Sequence, residues 1–289
     1  MINFDLSKKR SNFLNISPLL ILFCIIFLIV FSPVLKGLIS AWTNSEDYSH
    51  GFFIIPISIY LIWMEKDRII ETPKNNQQIG FFVFLFGLLI FIVASYAYIT
   101  TLASMAMLIT LYGAILYLYG FQTFRLLLFP LCFLVLMIPV PAQIYSSLTI
   151  PLQLFVSKIS TDLAMLLNVP IFRQGNVIQL PEQTLEVVQA CSGLRSVASL
   201  LAVSAIFGYL RVNSNYLRTI ILFLSIPIAI LVNIFRVMIM IIASYYFQYD
   251  LSQGTIHTIF GMMIFALALA ILFSLGKGLS FWDRSDLKN

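Results

Sequence analysis

The stretch Thr219–Phe247, TIILFLSIPIAILVNIFRVMIMIIASYYF, carries one charged side chain, Arg236, in an otherwise apolar run. About 20 consecutive apolar residues let a helix cross a bilayer core of about 30 Å. The run exceeds that, so it predicts a transmembrane helix, with Pro227 as its kink. Working outward, further apolar runs predict seven more spans. They cover about Ile16–Ile39, Phe52–Met64, Ile79–Tyr98, Leu102–Gly120, Leu126–Pro139, Cys191–Leu210 and His257–Leu275. Composition agrees: 10% of the 289 residues are charged and 60% hydrophobic, against about 25% charged in a soluble domain. The fold class is therefore an all-α polytopic membrane protein. About eight transmembrane helices form a single integral domain over residues 1–289.

A net charge of +5 in such a chain belongs to basic loops on one side of a membrane and does not point to nucleic acid. With eight spans and both termini cytoplasmic, twelve of the seventeen Lys and Arg residues fall on the cytoplasmic side. The first run, preceded by Lys8-Lys9-Arg10, is too long for the core of a signal peptide and is expected to stay as a span. Residues 140–190 form an extracytoplasmic insert. Within it, Leu152–Leu167 is apolar but holds Lys158 and Asp162, an i,i+4 pair, and predicts a short interfacial helix, with a true span, which would flip everything after it, as the alternative. Arg173-Gln174-Gly175-Asn176 reads as a turn. Val177–Leu180 and Leu185–Gln189, around Pro181-Glu182-Gln183-Thr184, read as a β-hairpin.

The polar residues inside this apolar frame are few. Cys24, Cys132 and Cys191 are too spread to be a disulfide framework. Cys24 and Cys132 sit within apolar runs and read as small packing residues. His50 and His257 lack the spacing of a helical metal pair, so no metal and no cofactor is expected. Cys191 is different: it opens a helix, where free amides and the helix dipole favour a thiolate, and Arg195 follows one turn later. Arg236 lies about 27 Å along its helix from Arg218. An arginine inside a membrane costs at least about 2.5–3.5 kcal/mol on insertion scales, so it needs an anion, a cavity or a partner such as Glu186. Asn233, three residues earlier, shares its face. His257, at the start of the last span, has the side chain for general acid–base work, and His50 is a second candidate. Cysteine, histidine and arginine on one side of a membrane supply a nucleophile, a proton shuttle and an oxyanion donor.

These residues resemble the motifs of the exosortase/archaeosortase family of membrane transpeptidases. Ala190-Cys191-Ser192-Gly193-Leu194-Arg195 is similar to its nucleophile motif, and Asn233-Ile234-Phe235-Arg236 to its Asn-x-x-Arg motif. His257, with Thr258 and Gly261 beyond it, is similar to its histidine motif. Tyr48-Ser49-His50-Gly51, Ile138-Pro139-Val140-Pro141 and Arg173–Ile178 add supporting matches. The resemblance implies a thiol protease or transpeptidase of the bacterial inner membrane whose active site faces the extracytoplasmic side. Its substrates would be exported proteins bearing a C-terminal sorting signal: a short motif such as Pro-Glu-Pro, a transmembrane helix and a basic tail. The cleaved protein would pass to a surface glycan or lipid acceptor. It implies Cys191 as nucleophile, His257 as acid/base and Arg236 as oxyanion stabiliser, with Arg195, Asn233 and His50 in supporting or substrate-binding places. From the residues alone, two other classes stay open. One is a transporter in which Arg236 binds an anionic solute. The other is a structural subunit of an exopolysaccharide or secretion assembly.

Overall fold

The structure, a computed structural model, describes residues 18–186, 194–249, 251 and 254–286. It is 80% helical, with one small three-stranded sheet. The chain divides into two compact units, residues 1–139 and 140–289.

In the first unit, α1 (Pro18–Val30) and α2 (Ser32–Asn44) meet at a 62° bend. Pro33 explains the break, since it cannot join the helical ladder of the preceding turn. Then follow α3 (Gly51–Met64), α4 (Lys66–Glu71), α5 (Gln78–Tyr96), α6 (Thr100–Leu126), α7 (Leu128–Phe133) and a 3₁₀ turn, Leu134–Met137. The pair α5–α6 is built on small residues. Gly80, Gly87 and Ala94 recur every seventh position on the buried side of α5. Gly80 lies against the backbone of Tyr117, and Gly113 of α6 against that of Phe84. A Cβ at either glycine would overlap that backbone, so only glycine lets the helices approach this closely. Trp42 of α2 closes the other end, where its Nε1–H donates to the Met137 carbonyl at 2.9 Å.

The second unit is organised around one helix. It comprises α8 (Ala142–Met165), strands β1 (Phe172–Gln174), β2 (Val177–Gln179) and β3 (Thr184–Glu186), then α9 (Leu194–Arg211), α10 (Asn215–Phe247) and α11 (Gly254–Asp286). Helix α10 carries two hydrophobic cores. Its first half packs Ile221, Ile228, Ala229 and Val232 against Leu200 of α9 and Ala268 and Leu272 of α11. Its second half packs Ile234, Val237 and Ile241 against Val156 and Ala164 of α8 and against Ile178 and Leu185 of the sheet. Ser160 of α8 donates to the Ile234 carbonyl at 3.0 Å.

The sheet order is β1-β2-β3, antiparallel throughout. The expected hairpin is present as β2 and β3; residues 187–189 of its expected second strand lie outside the described residues. The stretch Arg173–Asn176, expected as a turn, is only half turn: Arg173 and Gln174 belong to β1, and the turn is Gly175-Asn176, with Gly175 at φ +66°. Such a φ suits glycine in a two-residue hairpin loop.

Four helices are long and apolar enough to cross a membrane: α5, α6, α10 and the Gly254–Leu279 part of α11. The number rises to six if each of two bent pairs counts as one span. The eight expected spans included shorter pieces. Helix α3 has 14 residues, about 21 Å of helix, against a core of about 30 Å. The expected fifth span is the six-residue α7 and a four-residue 3₁₀ turn. Helix α9 has 18 residues but is diluted by Arg195, Ser196, Ser199, Ser204 and Arg211. The expected interfacial segment, Leu152–Leu167, is not a separate short helix: all but its last two residues belong to the 24-residue α8. Cys24 and Cys132, expected as packing residues, are exposed on α1 and α7.

Candidate active site

Arg236 and His257 meet. Arg236 stands in the second half of α10, and His257 in the first turn of α11. Arg236 Nη2 lies 2.9 Å from His257 Nε2, and His257 Nδ1 lies 2.9 Å from the Leu251 carbonyl oxygen. These two contacts define the tautomer. A guanidinium only donates, so Nε2 is the acceptor; a carbonyl only accepts, so Nδ1 carries the proton. The imidazole is thus neutral, with its lone pair turned to Arg236.

The approach of the guanidinium is made possible by Gly261, one turn beyond His257 on α11. A Cβ there would stand 3.1 Å from Arg236 Nη2 and 3.4 Å from Cζ. Any side chain at 261 would press on the group that holds His257. Arg236 Nε is buried and has no hydrogen-bond partner among the described residues, so this unit keeps an unspent, permanently charged donor. Among the described residues Arg236 makes no ion pair; the expected partner class of Glu186 is replaced by His257.

A cavity of about 30 Å³ adjoins the pair, lined by Ser196, Asn233, Arg236 and Gly261 at its polar part and by Leu200, Ala229, Val232, Ile264, Phe265 and Ala268 elsewhere. That volume holds one or two water molecules. Asn233 is 4% exposed and lies one helical turn before Arg236. Ser196 opens α9 beside Arg195, which is partly buried. The first turn of α9 therefore stands beside Arg236, and Ser196 follows Cys191 by five positions in the chain. Cys191 itself lies outside the described residues.

His50 falls in the first unit, in the loop before α3. Its Nε2–H donates to the Leu136 carbonyl at 3.2 Å. Burial pushes its pKa below the usual histidine value, opposed by hydrogen bonding to the main chain of Leu136 and Asp47 and by the Asp47 charge. Two partners at the site have no sequence signature: the Leu251 carbonyl, which orients His257, and Ser196, which borders the cavity. Gly261 had one, as part of the histidine motif.

A family model for transmembrane exosortases matches residues 42–274. The match covers most of the chain, and the protein belongs to the exosortase family. It is a multi-pass membrane protein of a family with a transpeptidase-type role in processing sorting signals. No curated protein and no solved structure matches the chain.

Proposed function

We propose that this chain is a membrane-embedded thiol transpeptidase, with Cys191 as nucleophile, His257 as acid and base, and Arg236 as oxyanion donor. The observation that supports the reading best is the Arg236–His257 contact: a charged donor and a neutral imidazole held together in an apolar unit. Family membership and the position of Ser196 beside Arg236 add to it.

The steps follow from these groups. The Cys191 thiol gives its proton to His257 Nε2, and its sulfur attacks the carbonyl carbon of the scissile peptide bond. Taking that proton ends the hydrogen bond from Arg236 to Nε2. The freed Nη2–H, with Nε–H, turns to the oxygen that has become negative. The tetrahedral intermediate then collapses: the C–N bond breaks, the leaving amine takes the proton from His257, and a thioester remains on Cys191. An acceptor nucleophile from a surface glycan or lipid gives its proton to His257, attacks the thioester and releases the thiolate, which recovers a proton. Asn233 and Arg195 flank these groups.

The substrates are exported proteins with a C-terminal sorting signal, and the reaction takes place on the outer side of a bacterial inner membrane. Two experiments test this. Cys191→Ala should leave uncleaved precursor in a membrane fraction that still contains the enzyme; processing at the parental rate would refute the thiol mechanism. Asn176→Cys should react with an impermeant thiol reagent in intact cells while Asn12→Cys does not. Labelling of both would place the sheet and the N-terminus on the same side and overturn the orientation.

A further inference from the structure

The sheet of the second unit is anchored on one face, and among the described residues no strand pairs with the outer edge of β3. Ile178 and Leu185 are buried in the core between α8 and α10. Gln248 Nε2–H donates to Glu182 Oε2 at 2.7 Å, which pins the β2–β3 turn to the end of α10. Strand β3 is thus held firmly, yet it is the last strand of the sheet.

Its register says which groups are unused. The Leu180 N–H donates to the Gln183 carbonyl at 2.8 Å, so Leu180 and Gln183 form a hydrogen-bonded pair at the turn. The type of pair alternates along an antiparallel ladder. Ile178 and Leu185 are therefore hydrogen-bonded, while Thr184 and Glu186 aim their N–H and C=O groups away from β2. Both residues are exposed, and neither has another hydrogen bond among the described residues. Two donors and two acceptors at strand spacing form a template for another extended backbone.

The geometry points to the open edge of β3 as the docking strand for the extended segment of the substrate polypeptide next to the bond to be cleaved. That segment adds as a fourth strand through the main-chain groups of Thr184 and Glu186. This rests on the peptide-processing reading above and extends it. Two features favour a substrate over a second copy of the chain. A three-residue edge covers far less than the roughly 1,200–2,000 Å² of a stable protein interface, whereas a substrate must dock and leave at every turnover. The strand also ends five residues before Cys191, at most about 18 Å of extended chain, so a peptide lying on it is within reach of the nucleophile's segment. Recognition of this kind reads the backbone, and the side chains of Thr184 and Glu186 flank the docked strand rather than hold it.

The test uses the full-length enzyme in membranes and a precursor carrying a Pro-Glu-Pro segment, an apolar helix and a basic tail. Thr184→Pro removes one outward N–H and no bond to β2. KM should rise about tenfold, the worth of a main-chain hydrogen bond and its unsatisfied partner, with kcat nearly unchanged. Thr184→Val, which keeps the N–H, should behave like the parent. In a Cys191→Ala background, Thr184→Cys is paired with single cysteines walked along the precursor's outer segment. Disulfides should form at alternate positions, the two-residue period of a strand. An unchanged KM for Thr184→Pro overturns the assignment. If that variant fails to insert, the disulfide pattern decides: a helical period, no disulfides, or enzyme–enzyme disulfides each overturn it. If the parent enzyme forms no thioester with this precursor, the peptide-processing reading fails. A thioester without strand-like crosslinks sinks the edge assignment alone.

Discussion

The two units solve the problem of polar groups in an apolar setting differently. In residues 1–139, the buried polar side chains inside the helices are single hydroxyls: Ser104 donates to the Thr100 carbonyl and Thr110 to the Ala106 carbonyl of their own helix, while Ser58 Oγ has no partner among the described residues. Helix contact there depends on glycine and alanine faces. In residues 140–289, a charged arginine, an imidazole and a buried asparagine cluster around one helix, and one arginine donor stays unspent. Polar groups that bond within their own helix cost little in lipid; a charge that among the described residues meets only a neutral ring is expensive. The second unit thus holds a charge that helix packing alone does not call for, in keeping with the proposed chemistry there.

The comparison breaks most sharply at Arg236. Arg236→Lys should lower the processing rate by about 10²–10³, as for loss of an oxyanion donor, because one ammonium cannot serve both His257 and the carbonyl oxygen. Its measure is precursor turnover in membranes with matched enzyme levels. His257→Ala should fall in a similar range, about 10²–10⁴.

Gly261→Ala sharpens the comparison within the second unit. A methyl 3.1 Å from Nη2 forces the guanidinium aside by a few tenths of an ångström, and the rate should fall about tenfold, a modest case of misplacement. Nitrogen NMR of the labelled imidazole gives a readout independent of turnover. Gly261→Ala should move the His257 Nε2 resonance in the parent and leave it unmoved when Arg236 is already Ala. Equal shifts in both backgrounds would mean that Gly261 acts on helix packing alone.

The first unit should respond in the opposite manner. Gly113→Val, against the Phe84 backbone, should reduce the amount of inserted enzyme while each remaining molecule keeps its kcat within about twofold. Its measure is active-site-normalised turnover. A large fall in kcat would erase the division of labour.

The smallest effect concerns His50, whose folded pKa burial holds below the usual histidine value. The unfolded chain then binds the proton at a higher pH than the folded one, so stability is full above that value and declines as pH falls below it. Melting in detergent should therefore shift downward between pH 7 and pH 5, and His50→Gln should lose that part of the slope.

How much of this was legible varies with the kind of signal. Helix α10 and Arg236 stand out because a charge in a long apolar run has a known cost. Their meeting with His257 follows from the order of the spans. The β2–β3 hairpin is legible from Pro181-Glu182 between two β-branched-rich stretches. Strand β1 is not, because three residues are too few to show an alternation and Gly175-Asn176 draws its neighbours into an apparent turn. The Leu251 carbonyl that orients His257 is a main-chain group and leaves no mark in side-chain pattern. Apolar composition likewise fails to tell a span from a shorter apolar helix such as α3 or the ten residues of Leu128–Met137. Only hydrogen bonding along the chain decides where such a helix stops.

The account stands or falls on a covalent bond to Cys191. The enzyme, incubated with the sorting-signal precursor and quenched in acid, should yield a Cys191 peptide heavier by the acyl fragment, released by hydroxylamine as a thioester. Precursor processed at the parental rate with no such adduct, or processed equally by Cys191→Ala, would contradict it.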